Sequence, residues 1–334
     1  MAVGKEILTK IRSVQNTQKI TKAMQMVSTS KMRKTQERMR LARPYADKVR
    51  LVMGHLAQTQ ENHGIKLLSE RREIRRAGFI LITTDKGLCG GLNANVLKKF
   101  LAQMQDYQER GIETDVVCIG SKGLATCQRI GLNVIASVVN LGDTPRLELL
   151  VGSLTELFKR YEQNEIDIIH IVYSGFVNTM RQEPRMEVLL PIGRNTLEAA
   201  QVEGRGYNWD YRYEPTPIAV LEYLVRRYLE SVVYQALSDN MASEQAARMV
   251  AMKAATDNAG NAIKELRLVY NKSRQAAITT ELSEIVAGAL RQNRLHPFLT
   301  LRQPENARTK LGYDNEPRQN RTNHRCCSGC GIPT

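Results

Sequence analysis

Apolar side chains near the start of the chain recur at steps of three and four, which is the pattern of a helix with one apolar face. The stripe begins with Ile7, Ile11 and Val14. It is predicted to continue through four more apolar residues: Ile20, Ala23, Met24 and Val27. Polar residues interrupt it, namely Gln15, Gln18, Thr21 and Gln25. A helix with so thin an apolar face requires a partner to be stable.

Glycine and proline are almost absent from both ends of the chain. Residues 5–43 contain neither, and residues 218–287 contain no proline and one glycine, Gly260. Since Gly and Pro disfavour a helix interior by about 1 and 3 kcal/mol, both stretches are predicted to form very long helices. Pro44 is expected to end or kink the first helix, although the residues from Tyr45 to Leu56 can continue it.

The second long helix carries a heptad pattern of mostly small residues. They recur at alternating steps of four and three: Ala255, Ala259, Ala262, Leu266, Val269, Ser273, Ala276 and Thr280. Small residues at such positions let two helices approach closely. Because the two ends have to meet across the middle of the chain, residues 1–50 and 240–290 are predicted to pair as an antiparallel coiled coil.

Short apolar, β-branched runs alternate with helical patterns in the middle of the chain. The predicted strands are residues 79–83, 116–119, 134–139 and 166–173, with an edge strand at 186–190. The predicted helices are residues 93–110, a helix from residue 121, and residues 145–162. This alternation indicates an α/β fold class with a mainly parallel sheet, joined to the coiled coil of the two ends.

The net charge of +14 is concentrated at the two ends of the chain. Residues 1–50 hold 13 Lys and Arg against 3 Asp and Glu, and residues 291–334 hold 8 against 3, so the rest is near neutral. A basic helix favours nucleic acid, an acidic protein surface or a membrane face as partner, or is simply a solvated face. Residues 291–334 lack periodicity and are expected to be a disordered basic tail.

No motif in the chain predicts catalysis. The turn from Asp85 to Gly91 lacks the Lys-Ser/Thr ending of a P-loop and the spacing of a dinucleotide fingerprint, so a tight strand-to-helix turn is the better interpretation. His170 lies in a predicted strand and is interpreted as a core or surface histidine. Cys327 and Cys330 have CxxC spacing, which suits zinc or a redox pair, but a disordered tail is a poor frame for either. We expect no catalytic residue, no cofactor and no metal site.

Four blocks of sequence closely resemble the gamma subunits of F-type ATP synthases. Residues 13–24 are SVQNTQKITKAM, with SKMRK following at 30–34, and residues 84–93 are TDKGLCGGLN. Residues 243–259 are SEQAARMVAMKAATDNA, and residues 268–289 contain LVYNKSRQAAIT and ELSEIVAGA. The blocks occur in the family's order over residues 1–289, which makes the resemblance highly specific.

The resemblance implies an architecture and a function. Residues 1–56 and 214–290 would form an antiparallel coiled-coil shaft, and residues 77–213 a Rossmann-like α/β domain at its base. In this family the shaft is the non-catalytic central rotor, whose tip turns inside the catalytic alpha-beta hexamer. Its foot docks on the epsilon subunit and the membrane c-ring. Proton flow turns the shaft and so drives ATP synthesis, and the subunit also serves assembly and regulation.

The resemblance also implies site residues. Those expected to contact the beta subunit are Met24, Arg248, Arg274, Gln275 and Thr279. Those expected at the foot, against the c-ring and epsilon, are Pro44, Tyr45, Tyr211, Tyr213 and Glu214. For Met24, packing within the coiled coil is an equal alternative. The chain departs from the family by continuing from Ala289 to Thr334.

The location and the alternatives follow from the same features. No apolar run approaches the roughly 18 residues that span a bilayer, and the N-terminus lacks an apolar signal core. A peripheral protein on the cytoplasmic face of the bacterial inner membrane is expected, with no nucleic acid partner. One alternative is a nucleic-acid-binding coiled coil, although residues 1–43 hold no aromatic residue. The other is a zinc or redox enzyme built on the tail.

Overall fold

A computed structural model describes residues 2–59, 74–145, 147–192, 214 and 217–294. The helices are α1 (Ala2–Thr59), α2 (Leu92–Glu109), α3 (Ser121–Ile130), α4 (Leu147–Glu162) and α5 (Pro217–Arg294). The strands are β1 (Arg76–Ile82), β2 (Glu113–Ile119), β3 (Asn133–Val138), β4 (Ile168–Phe176) and β5 (Gln182–Leu190). The two long terminal helices are thus confirmed, and α1 continues through Pro44 instead of ending there.

The strands form one sheet in the order β3-β2-β1-β4-β5. The first four are parallel, and β5 pairs with β4 in the antiparallel sense at the edge. The predicted α/β class, the parallel sheet and the edge strand are therefore confirmed. Crossover helices join the parallel strands and cover both faces of the sheet. The strands therefore carry buried apolar side chains on both sides.

The core has two layers, one on each face of the sheet. Phe79 and Leu81 of β1 point to the layer under α2, together with Phe100. Ile80 and Ile82 of the same strand belong to the opposite layer, which α4 and the first part of α5 cover. This alternation is the period-2 geometry of a strand that is buried on both sides.

The first turns of α5 belong to the core of the α/β region. Val225, Leu229 and Val233 are fully buried in the layer that also contains Leu154 of α4. Val49 of α1 is buried in the same layer. The sheet therefore anchors both long helices, and the proposed division between shaft and α/β domain stays a prediction.

The chain divides into two compact units, residues 1–275 and residues 276–334. Within the first unit, α1 and α5 run antiparallel. Thr21 of α1 lies against Thr256 of α5, whereas Val49, further along α1, packs with residues near the start of α5 such as Val225. A later position on one helix thus meets an earlier position on the other, as predicted.

The buried face of α1 differs from the predicted apolar stripe. Ile20 is 60% exposed and Val27 is also exposed, whereas Thr21, Ser28 and Thr35 are buried one heptad apart. The predicted continuation of the stripe through Ile20 and Val27 was therefore wrong. Small hydroxyl side chains tolerate burial in a helix because they donate to the carbonyl three or four residues earlier, as Thr35 does to Met32 at 2.9 Å.

The buried face of α5 is also shifted from the predicted one. Five residues of the predicted seam are half-buried: Ala255, Ala259, Ala262, Leu266 and Ser273. The fully buried residues beside them are Met252 and Ile263, and Thr256 and Tyr270 are half-buried as well. Val269, Ala276 and Thr280 were also predicted to lie in the seam, but they are exposed. The small-residue pattern fits two overlapping heptad frames, and it does not say which frame faces the partner helix.

Candidate partner-binding surfaces

The turn between β1 and α2, residues 83–91, is fixed at its base by side-chain hydrogen bonds. Asn93 Oδ1 accepts from the amide of Thr84 at 3.2 Å, and Asn93 Nδ2 donates to Thr84 Oγ1 at 2.7 Å. Asp85 Oδ1 accepts from the amide and the hydroxyl of Ser121 at 3.0 and 2.9 Å, so Asp85 caps α3. The tight strand-to-helix turn predicted from the sequence is confirmed.

The apex of this turn carries an exposed apolar side chain. Leu88 is 62% exposed and has a φ of 63°, a left-handed conformation that residues other than glycine rarely adopt. Behind it, Cys89 and Leu92 pack against Ala247 of α5. A residue in such a strained conformation has to be held in place by its surroundings. Ala247 of α5 supplies part of that packing.

Arg248 of α5 holds the turn from behind. Its Nη2 donates to the carbonyls of Lys86 and Gly87, both at 3.2 Å, and to Glu244 Oε1 at 2.6 Å. Arg248 is only 8% exposed. Burial raises the pKa of the Glu244 carboxyl, an effect that Arg248 opposes and that Asp85 reinforces. The side chain of Arg248, which was expected to contact the beta subunit, therefore makes its described hydrogen bonds within this chain.

The other residues expected to contact the beta subunit are more accessible. Met24 is half-buried on α1, while Arg274, Gln275 and Thr279 are exposed on α5. The carbonyl of Thr279 accepts from Ser283 Oγ at 2.8 Å. Their contacts with a partner stay a prediction.

The residues expected at the foot are only partly described. Pro44 is exposed on α1, and Glu214 is exposed ahead of α5. Tyr45 lies in α1, but its side chain is outside the described part of the chain, as are Tyr211 and Tyr213 altogether. The foot contacts therefore also stay a prediction.

Sequence reasoning missed an apolar surface on the last part of α5. Within the unit of residues 276–334, the large apolar side chains that are described and exposed are Ile278, Leu282, Ile285, Val286 and Leu290. Exposed apolar side chains in this number on one helical segment indicate a surface that another protein covers. The signal was present in the sequence as apolar residues that lie outside the positions of the predicted seam or beyond its end.

A buried histidine lies in the sheet layer under α2. His170 is buried and stacks on Phe79, and its Nε2 lies 2.6 Å from the hydroxyl of Tyr107. Burial lowers the pKa of His170 to about 4, so this histidine is neutral at physiological pH. Among the described residues, no group of three His, Cys, Asp or Glu is placed to hold a metal ion. Likewise, none of the described helices is both long and apolar enough to cross a membrane.

The fold and these surfaces define a class of protein: a pair of long antiparallel helices anchored in a parallel α/β sheet, with exposed apolar side chains for partner binding. A family model described as ATP synthase matches residues 4–290. The chain is 82% identical to the ATP synthase gamma chain of Neisseria meningitidis serogroup A over 289 residues, which are 86% of this chain and 99% of that protein. It is 67% identical to the gamma chain of Chromobacterium violaceum, with the same coverage of both.

Solved structures share the fold at lower identity. A chain in the cryo-EM structure of the Euglena gracilis mitochondrial ATP synthase (OSCP, F1 and c-ring) matches with a TM-score of 0.61 and 20% identity. That match covers 91% of this chain and 99% of the other. A chain of the Tetrahymena thermophila central stalk and c-ring structure matches with a TM-score of 0.52 and 24% identity, covering 71% of this chain and 99% of that one.

The chain belongs to the ATP synthase gamma-chain family. The resemblance seen in the four sequence blocks is thereby confirmed, and with it the function of a gamma subunit of F-type ATP synthase. This function replaces the two alternatives, a nucleic-acid-binding coiled coil and an enzyme built on the tail. Residues 291–334 lie beyond the matched region.

Proposed function

We propose that this chain is the non-catalytic rotor of a bacterial F-type ATP synthase. It turns with the c-ring and forces the catalytic beta subunits through successive nucleotide affinities. The observation that carries the proposal is the last part of α5, where Ile285 and its apolar neighbours are exposed in the isolated chain. A helix with that surface is suited to being surrounded by other subunits, because burial of its apolar side chains stabilises the assembly.

The proposed contacts divide between the two ends of the shaft. Toward the alpha-beta hexamer, Arg274, Gln275 and Thr279 offer polar groups on an exposed helix, and Met24 adds an apolar side chain from α1. The planar guanidinium of Arg274 is suited to a geometrically specific hydrogen-bonded contact that forms and breaks as the shaft turns.

At the other end, we assign the contacts with epsilon and the c-ring to five residues: Pro44, Tyr45, Tyr211, Tyr213 and Glu214. Through these partners the chain is held at the cytoplasmic face of the inner membrane. The sheet supports this role, because it anchors both long helices in one core and so resists twisting of one helix against the other.

Reconstitution with alpha and beta subunits tests the function. The full chain and a chain truncated after Ala289 are compared for complex assembly and ATPase activity. Assembly and activity with either form support the shaft, and activity of the truncated form alone identifies residues 290–334 as a block to rotation. Failure of both forms to assemble contradicts the proposal.

A further inference from the structure

Two polar side chains of α5 bind the backbone of β4 where its pairing with β1 has ended. β1 pairs with β4 as far as Val172, and β4 continues beyond that residue. Further along β4, the amide of Ser174 donates to Asn240 Oδ1 at 3.2 Å, and the carbonyl of Ser174 accepts from Ser243 Oγ at 3.0 Å. Side chains of α5 thus take the place that a further residue of β1 would have in the sheet.

This contact is shielded from water. Ser243 is fully buried, and Asn240 and Ser174 are 1% and 2% exposed. The residue opposite Ser174 on the other side of β4 is Pro184 of β5, which has no N–H and cannot donate to the Ser174 carbonyl. Because a buried backbone group without a partner is costly, the sheet depends on Asn240 and Ser243 at this point.

The two hydrogen bonds differ in kind from the rest of the packing between α5 and the sheet. Val233 and Leu237, one and two turns earlier on α5, lie in an apolar layer of the core. Apolar contacts of this kind are not directional, whereas a hydrogen bond requires its donor and acceptor to be aligned. Asn240 and Ser243 are three residues apart and so share one face of the helix. By binding one residue of β4, they fix the rotation of α5 about its axis and its position along that axis.

We propose that Asn240 and Ser243 are positioning residues of the rotor: they lock α5 to the sheet, so that the two turn as one stiff body. This inference deepens the proposed function and rests on it. The contacts assigned to the beta subunit on the exposed part of α5 begin at Arg274, and torque reaches them through the part of α5 that is fixed to the sheet. Asn240 and Ser243 are buried within the chain, so they act through α5 and do not touch a partner.

The test measures the torsional stiffness of the reconstituted complex with alpha and beta subunits, using Asn240→Ala, Ser243→Ala and the combination. The hexamer is fixed to a surface and halted with a non-hydrolysable ATP analogue. The angular fluctuation of a bead attached at Gln108, on the exposed surface of α2, is then recorded. Each single change should raise the angular variance by roughly 1.5-fold and the combination by about twofold, since each removes one directional restraint. Asn240→Ala should also accelerate hydrogen exchange at the amide of Ser174, which loses its acceptor.

The matched control is Ser238→Ala. Ser238 is also a buried serine of α5, but its hydroxyl donates to the carbonyl of Tyr234 in the same helix, at 2.9 Å. Its removal should leave the angular variance unchanged. Ser243→Cys serves if the alanine variants do not assemble. The thiol keeps the shape of the side chain but is a weak donor, so a raised variance is expected there as well.

Three results would overturn the positioning role. The first is an angular variance in Asn240→Ala and Ser243→Ala that equals that of the unaltered chain. The second is an equal rise in Ser238→Ala, because any buried serine of α5 would then have the same effect. The third is unchanged exchange at the Ser174 amide in Asn240→Ala. If the unaltered chain itself fails to assemble with alpha and beta subunits, the proposed function fails instead.

Discussion

The hydroxyl of Thr21 on α1 lies 2.8 Å from the hydroxyl of Thr256 on α5, so the two long helices meet through small polar side chains. Gln18 Nε2 lies on the same interface, 3.2 Å from the position that a Cβ on Gly260 would occupy. Small residues allow this close approach. The stability of the helix pair therefore depends on the size of the side chains between the helices more than on their apolarity.

Enlarging Thr21 should separate the helices. We expect Thr21→Leu to lower the free energy of unfolding by about 1–3 kcal/mol, because the larger side chain is forced into a closely packed site. Thermal unfolding followed by circular dichroism measures the change. Ile20→Leu at the neighbouring exposed position is the control and should shift stability by less than about 0.5 kcal/mol. Equal effects at the two positions would contradict the placement of Thr21 between the helices.

His170 should make the chain sensitive to acid. Its pKa is about 4 in the folded chain and about 6.5 when unfolded, so the unfolded chain binds the proton first. Stability from this group is full above pH 6.5 and is lost as pH falls to 4, by up to about 3 kcal/mol. Denaturant unfolding at a series of pH values should show the loss, and His170→Gln should flatten the curve in this window. An unchanged curve for the variant would show that other groups cause the acid sensitivity.

Asp115 should stabilise the amino-terminal edge of the sheet. Asp115 Oδ1 accepts from Asn133 Nδ2 at 2.6 Å, and its Oδ2 lies 3.6 Å from Nη1 of Arg76 and of Arg160. Because the two arginines are partly exposed and keep Glu113 and Glu156 as partners, the main loss in Asp115→Ala is the charge-assisted hydrogen bond from Asn133, at about 1–3 kcal/mol. Equilibrium unfolding in urea measures this. Asp106→Ala, which removes a more exposed partner of Arg110, should change stability by less than about 1 kcal/mol.

Two glycines should respond to alanine in opposite directions. Gly120 has a φ of 104°, and a Cβ there would lie 2.3 Å from the carbonyl oxygen of Thr83, so Gly120→Ala should strongly destabilise the chain. Gly152 lies inside α4, and no described atom outside the backbone of that helix is within 4 Å of the added Cβ, so Gly152→Ala should stabilise by about 0.5–1 kcal/mol. Differential scanning calorimetry of both variants tests the pair. A destabilised Gly152→Ala chain would mean that α4 packs differently.

The last part of α5 should matter to the complex and not to the isolated chain. Ile285 is 67% exposed, so Ile285→Asp should leave thermal unfolding of the free chain nearly unchanged. In the reconstituted complex the same change should lower ATPase activity several-fold, since the side chain would then be buried against other subunits. Normal activity of the complex would argue that this surface is not covered.

The long helices, the alternation of strands with helices, and the family could all be predicted from the sequence. The absence of Gly and Pro predicted α1 and α5, and the buried β-branched runs predicted each strand of the parallel sheet within a few residues. The four sequence blocks identified the family. These features were predictable because they depend on local signals in the sequence, namely periodicity, turn residues and contiguous motifs.

The faces of the helices were decided only by tertiary structure. Ile20 and Val27 satisfy a helical stripe as well as Thr21 and Ser28 do, and packing against the rest of the fold selected the hydroxyl residues for burial. Arg248 is another case, since a sequence does not say whether an arginine points to a partner or to its own chain. The sequence determined which elements form, because their formation depends on local periodicity. Three-dimensional packing decided which side chains meet, because residues as distant in sequence as Gly87 and Arg248 are neighbours only in the fold.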